Sequence, residues 1–490
     1  MSAFGRAVFP ARAVYIGFFL CLPACFGQSS PQPLVPGTVV IGQCSGHTGD
    51  PGCVLPNLFG PGGLTLFNNP VFPHYAHFTG AAQSTLNQTL STAIATQLAI
   101  LPIISPASGF TYKYDSAAGA FVRTTTSFGP IYTERAETIG RGKVSFGVSY
   151  QRFRFSTLDG INLHNMPAVF SHLPDTGPGG APEPYEADVI STRNNVNLNM
   201  DQTMLYGTVG ITDRIDVSVA VPIVSVRMSA SSNAQIIQVS GPTFIPVPGA
   251  QPVANPHEFN AQGALTNVYG SNGSASGIGD VTFRIKGEFF RSDAVRVALA
   301  LDVRAPSGDA RSFLGSGATG LKPFLAVSAG QRFSPHLNVG YQWNGNSILA
   351  SDVTGTTISE DANGNPVIQN GPSVERRLPS QFLYSLGADL GVTRRLTLAA
   401  DYLGQTLFNA PRVFLSQTTT QNIPGGTGAL TLPTIDSGKD TVGLNSGAVG
   451  FKYNLLGRLL LTADLLFRLD NKGLRQDVTP LVSLSYALGQ

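Results

Sequence analysis

"DVTFRIKGEFFRSDAVRVALALDVRAPSGD", Asp280 to Asp309, alternates along most of its length. Val281, Phe283, Ile285 and Phe289, then Val295, Val297, Leu299, Leu301 and Val303, hold the odd positions; Thr282, Arg284, Lys286, Glu288, Arg296, Asp302 and Arg304 hold the even ones. Successive strand side chains point to opposite faces, so the stretch is a two-faced hairpin. "FRSDA" forms its turn, where Ser292 and Asp293 can hydrogen-bond the local backbone. In a soluble sandwich the apolar row faces a core; in an outer-membrane barrel it faces lipid and the polar row lines a lumen. The hairpin alone fits both.

The rest of the chain separates them. Charged residues make up 12% of 490 positions, about half of the roughly 25% usual in globular domains. Hydrophobic residues stand at an ordinary 42% and glycines number 55, which suits β-structure rich in turns. A net charge of +2 gives no reason to expect a nucleic acid or another polyanion as partner. Beyond the N-terminal segment no run reaches the roughly 18 apolar residues of a membrane helix.

Residues 1–27 read as an export signal: Arg6 and Arg12 precede "AVYIGFFLCL", followed by small residues and the polar "GQSSPQP". Cleavage is expected after Gly27. "LPAC" loosely matches a lipobox, which would make Cys25 a lipidated first residue, although Pro23 fits that pattern poorly. Cys44 and Cys53 remain in "CSGHTGDPGC", and in an exported chain such a pair around a Gly/Pro turn is expected to form a disulfide. His47 and Asp50 between them match no common zinc spacing.

Residues 28–140 are irregular, a periplasmic or lumen-plugging segment. Within it "STLNQTLSTAIATQLAIL", Ser84 to Leu101, predicts one helix with Leu86, Leu90, Ile94 and Leu98 on one stripe, and "FTYKYDSAAGAFVRTT" a possible hairpin. From residue 141 onward alternation takes over, giving about twelve strands (12 to 14). In the first, Val144, Phe146, Val148 and Tyr150 share a face, but the phase then slips and Phe153 and Phe155 fall on the other. Connections within hairpins take a handful of residues. Those between hairpins are long: Ser156 to Asn195, Met228 to Ile278, Pro306 to Gly320, Asn346 to Pro379, and Asn409 to Lys439.

Short turns at one end, long loops at the other and strands near the 9 to 11 residues that cross a bilayer at a tilt, about what outer-membrane barrels require, predict an all-β fold: a transmembrane antiparallel barrel. The even row of the opening hairpin, which adds Ala298 and Ala300 to its charges, then lines the lumen, because an arginine facing lipid would cost about 2–4 kcal/mol near the midplane. Arg284, Lys286, Glu288, Arg296, Asp302 and Arg304 are the expected lumen-lining residues.

"SFGPIYTERAETIGRGKVSFGVSYQRFRFSTLDG", "TVGITDRIDVSVAVPIVSVRMSA" and "GIGDVTFRIKGEFFRSDAVRVALALDVRAPSGD" resemble the outer-membrane family called "putative MetA-pathway of phenol degradation", over most of Ser127 to Gln490. The resemblance implies a barrel in the outer membrane of a Gram-negative-type bacterium, linked to uptake of aromatic or other hydrophobic compounds and loosely similar to FadL-type transporters. It carries no substrate-site motif onto this chain. Such barrels commonly end in an aromatic residue that marks the last strand for the outer-membrane assembly machinery. This chain ends "SYALGQ", where Tyr486 can stand in.

Other motifs have plainer readings. "GSGATG", Gly315 to Gly320, has the letters of a dinucleotide fingerprint but follows a loop and opens a strand, so it lacks the helix N-terminus that binds phosphate. "HYAH", His74 to His77, lies in loop-like sequence. His164, His172, His257 and His336 have no serine or cysteine motif around them, so a hydrolase would need residues brought together by folding alone. "TERAETIGRGK" gathers Glu134, Arg135, Glu137 and Arg141 just before the first strand, as a salt-bridged seal at the periplasmic rim or as a gate. The expected function is passive uptake of small hydrophobic or aromatic solutes, with no enzymatic role and no cofactor. A non-specific porin and a structural or adhesive surface barrel are the alternatives.

Overall fold

The computed structural model describes residues 39–40, 49–60, 64–67, 78–79, 90–98, 112–115, 120–123, 127–172, 184–244, 251–353, 357–360, 366–369, 373–420 and 428–488. The expected signal peptide, Cys25, Cys44 and His74–His77 fall outside them.

Twelve antiparallel strands close into a barrel. They are β1 (Val144–Phe155), β2 (Val189–Gly210), β3 (Ile215–Ile237), β4 (Thr282–Arg291), β5 (Val295–Arg304) and β6 (Gly320–Ala329). The wall continues with β7 (Phe333–Asn344), β8 (Gln381–Gly391), β9 (Leu396–Thr419), β10 (Thr431–Leu456), β11 (Leu459–Arg468) and β12 (Val478–Leu488). Each pairs with its chain neighbour and β12 returns to β1, with Leu484 opposite Val148. Closure leaves no unpaired edge at membrane depth. In the opening hairpin's turn the Ser292 hydroxyl both donates to Val295 O and accepts from Val295 N, at 2.9 and 3.0 Å.

The alternation faces as the pattern requires. Phe283, Ile285 and Leu299 lie on the outside, each more than half exposed, while Lys286, Ala298 and Ala300 are buried inside. In this hairpin a bulge alters the phase: the register shifts between Glu288 and Phe290, so Phe289 and Phe290 both face outward and Arg291 turns in toward Glu288, 2.8 Å away. The outer band carries aromatic contacts near both margins, Phe146 with Tyr486 toward the short turns and Tyr341 with Trp343 toward the long loops, the girdle pattern of membrane barrels.

At the long-loop end the structure departs from the sequence expectation. Much of the supposed loop is strand: β2, β3, β9 and β10 run 22, 23, 24 and 26 residues, and Thr266–Ile278 continues β4 upward along β3. The faces also invert. On β3 the outward residues Ile215, Val217, Val219 and Ile223 are exposed and apolar; beyond them Ser225, Arg227, Ser229 and Ser231 face outward. The inward row changes the opposite way, from Asp216 and Ser218 to Val224, Val226, Met228 and Ala230. Those side chains join Phe153 and Phe155 of β1, Leu198 and Met200 of β2, and Val54, Leu55, Leu58 and Phe59 from the N-terminal segment in one core. Where water replaces lipid outside, the wall folds like a soluble protein around a dry interior.

Helix α1 (Leu90–Leu98) has Leu90 and Ile94 fully buried in that core; the rest of the expected Ser84–Leu101 span lies outside the described residues. Tyr112–Asp115 pairs with Ala120–Arg123. Cys53 is buried and disulfide-bonded.

Candidate functional site in the barrel lumen

Residues 127–140 form an extended strap, buried throughout, that crosses the lumen near the short-turn end. A chain segment without regular structure inside a barrel must find partners for its backbone groups, and inward-facing side chains supply them. Phe128 N–H donates to Thr397 Oγ1 at 3.0 Å. The amides of Ile131, Tyr132 and Thr133 converge on the Asp401 carboxylate at 3.0, 3.2 and 3.2 Å. Asn338 holds Glu134 at both backbone groups, 2.7 and 2.8 Å. Ala136 N–H donates to Ser328 Oγ at 2.9 Å and Ile139 N–H to Asp216 Oδ2 at 2.9 Å.

Two buried lysines grip the strap's carbonyls. Lys286 Nζ donates to Arg135 O at 3.0 Å, to Glu137 O at 2.8 Å and to Glu134 Oε1 at 2.8 Å. Lys452 Nζ donates to Phe128 O at 3.4 Å and to Pro130 O. The strap lies so close to the wall that a Cβ on Gly387 would stand 2.8 Å from the Thr133 hydroxyl. Gly129, at φ +82°, bends the strap where a side chain would meet Arg135.

Arg284, Lys286, Glu288, Arg296 and Asp302 join one network with the strap. Arg284 pairs with Asp302 through Nε and Nη2, at 2.6 and 2.9 Å, and with Glu134. Lys322 adds to Asp302 at 2.8 Å. Glu288 meets Arg291 and Arg296, and Arg296 lies 3.9 Å from Glu137. Arg304 donates to Asn344 at 2.9 Å. Of the four residues assigned to the periplasmic rim, Glu134, Arg135 and Glu137 lie inside the barrel, while Arg141 is exposed beside Asp213 of the β2–β3 turn. The anchors Asp216, Ser328, Asn338, Asp401 and Lys452 had no place in the sequence reading. Their shared signal is an inward-phase polar residue near the short-turn end of a strand.

Between the strap and the long-loop end lies a cavity of about 190 Å³. Tyr132 and Glu134 of the strap contribute to it, with Phe324, Leu383, Leu403 and Ala220 as its apolar face and Arg284, Lys322 and Asp302 as its charged one. Phe324 marks the seam: Arg284 and Lys322 sit 4.9 and 5.4 Å from its ring centroid, within cation–π range.

Folding does bring one hydrolase-like set together. His336 bridges Ser328, Nδ1 to Oγ 2.8 Å, and Asp389, Nε2 to Oδ1 2.6 Å. Hydrolytic triads need a serine open to substrate, whereas Ser328 is 1% exposed, accepts the Ala136 amide and is absent from the cavity wall. The set anchors the strap. Among the described residues no group of His, Cys, Asp and Glu is arranged to hold a metal ion.

Residues 186–363 match the family model described as "Putative MetA-pathway of phenol degradation". No curated protein matches the chain. Among solved structures, an outer membrane channel from Pseudomonas putida F1 is similar at 13% identity and TM-score 0.39, covering 72% of this chain and 98% of that one. A FadL homologue from Pseudomonas aeruginosa is similar at 11% identity and TM-score 0.28, covering 72% and 91%. The translocator domain of the autotransporter NalP from Neisseria meningitidis is similar at 8% identity and TM-score 0.30, covering 71% and 88%. At such TM-scores none of them carries weight for function.

Proposed function

We propose that this chain, which matches the phenol-degradation family model over residues 186–363, is a channel of the Gram-negative outer membrane for passive uptake of small aromatic or other hydrophobic solutes. The observation that carries this reading is the cavity between strap and long loops, apolar on one side through Phe324, Leu383 and Leu403 and bounded below by Tyr132 and Glu134 of the strap. A solute entering from the long-loop side would rest its ring against those side chains and leave to the periplasm when the strap shifts. Residues 28–140 act in this reading as a plug in two tiers: an upper tier packed into the dry core and the strap below. No chemistry is required of the protein, and the assembly machinery of the outer membrane would insert the barrel.

The two-tier filling of the lumen disfavours a non-specific porin, which keeps an aqueous channel. Proteoliposomes separate the readings. The channel should admit a labelled monoaromatic compound well above protein-free vesicles while sugars cause little osmotic swelling. Rapid swelling with sugars would make it a porin, and entry of neither solute would leave a structural or adhesive barrel.

A further inference from the structure

Immediately above the apolar band, three adjacent strands carry a basic cluster on the outside of the wall that solute transport does not use. On β1 the outward row Phe146, Val148, Tyr150 gives way to Arg152 and Arg154. On β3 Ile223 gives way to Ser225 and Arg227. Between them β2 presents Asp201, directly opposite Arg152 on one side and Ser225 on the other. Arg152 Nε lies 3.4 Å and Arg227 Nη2 2.6 Å from the Asp201 carboxylate, and the Tyr150 hydroxyl donates to it at 2.7 Å.

The cluster is not neutralised. Arg152 and Arg227 share one carboxylate yet keep 42% and 52% of their side chains exposed, and Arg154 is exposed as well. The carboxylate of Asp477, which precedes β12, is taken by Arg468 at 2.8 Å. The three outward arginines against the one carboxylate of Asp201 leave an excess of positive charge. Its depth is set by the residues below it: an arginine is costly at the bilayer midplane and nearly free at the interface, so the row places these side chains among lipid headgroups. Guanidinium groups bind phosphate oxygens in bidentate fashion, and Asp201 splays two of them over a surface spanning three strands.

We propose that Arg152, Arg154 and Arg227 bind the phosphate groups of a phosphorylated glycolipid in the outer leaflet, fixing the depth and tilt of the barrel. The proposal rests on the membrane-spanning reading of the band and not on which solute is transported. The test uses the full-length protein, floated with lipid vesicles and then analysed by native mass spectrometry with bis-phosphorylated lipid A, with the same glycolipid stripped of phosphate, and with phosphatidylglycerol. Wild type should retain lipid A about tenfold more than the stripped form. The triple variant Arg152→Gln, Arg154→Gln, Arg227→Gln should lose that preference while keeping its heat-modifiable folded band. Asp201→Asn, which adds net positive charge, should raise lipid A retention and provides a second readout should the triple variant fail to fold. Equal retention of both glycolipids, a triple variant that keeps the preference, or phosphatidylglycerol displacing lipid A at equal concentration would each overturn the proposal. Failure to float with vesicles would overturn the membrane reading itself.

Discussion

Lys286 and Glu134 stand 2.8 Å apart, both buried, and join strand β4 to a strap 152 positions earlier in the chain. The same ammonium also caps the carbonyls of Arg135 and Glu137, so one side chain holds three points of the strap. Removing one partner of a buried ion pair costs about 3–5 kcal/mol because the other is left uncompensated. Arg284 still reaches Glu134 here, which places Lys286→Met at the lower end. We expect that variant to assemble, to show a normal folded band on a gel, and to conduct more often and at higher levels in planar bilayers. Unchanged conductance would mean that the strap does not control the pore.

Asp401 offers a second handle on the same segment, since it accepts three consecutive amides of the strap. Asp401→Ala leaves those donors without their acceptor, at about 1–3 kcal/mol for each that water does not reach. Asp401→Asn keeps part of the accepting capacity. Leak should therefore rise in the order wild type, Asn, Ala, measured as chloride efflux from proteoliposomes.

Leu299 and Ala300 make opposite predictions from neighbouring positions. Leu299 is 57% exposed on the outer band, so Leu299→Arg should cost about 2–4 kcal/mol near mid-membrane and weaken the folded band. Ala300 packs inside with Ala136 of the strap, Phe324 and Ala326. Ala300→Arg should therefore assemble but push the strap aside, read as increased conductance. Loss of folding only in the Ala300 variant would reverse the two faces.

Truncation distinguishes the two tiers of the plug. Deleting residues 28–126 while keeping residues 1–27 removes Val54, Leu55, Leu58 and Phe59 from the upper core but leaves the strap tethered. Conductance should stay low. Extending the deletion through residue 139 should open the lumen, and a pore already open in the shorter deletion would assign the barrier to the upper tier.

Cys53 is disulfide-bonded, and the expected partner is Cys44. Mass spectrometry of unreduced peptides should recover the two as one cross-linked species; a free thiol at Cys44 would remove that pairing.

The phase slip in β1 is a boundary legible in the chain. Tyr150 ends the apolar outward row and Phe153 starts the apolar inward one, the same crossover that β3 makes between Ile223 and Val224. Read as a boundary, that slip marks where lipid ends. Alternation with a single apolar face stops there and predicts loops beyond it, whereas the strands run on as a water-exposed wall with its own core. The charges of the opening hairpin are legible one by one; the pairing of Arg284 and Lys286 with Glu134 is not, because Glu134 lies about 150 positions earlier and meets them only inside the closed barrel, whereas Lys322 meets Asp302 as its cross-strand neighbour.

The sequence by itself determined which side chains meet lipid and which end of the barrel carries the short turns, because a period of two and the length of a connection are local quantities that any strand must obey. Only the tertiary structure decided what fills the lumen. The strap has no periodicity to read. Its course is set by inward groups such as Asp401, Asn338 and Lys452, which lie roughly 200 to 320 positions away and come within hydrogen-bond distance only when twelve strands have closed around it.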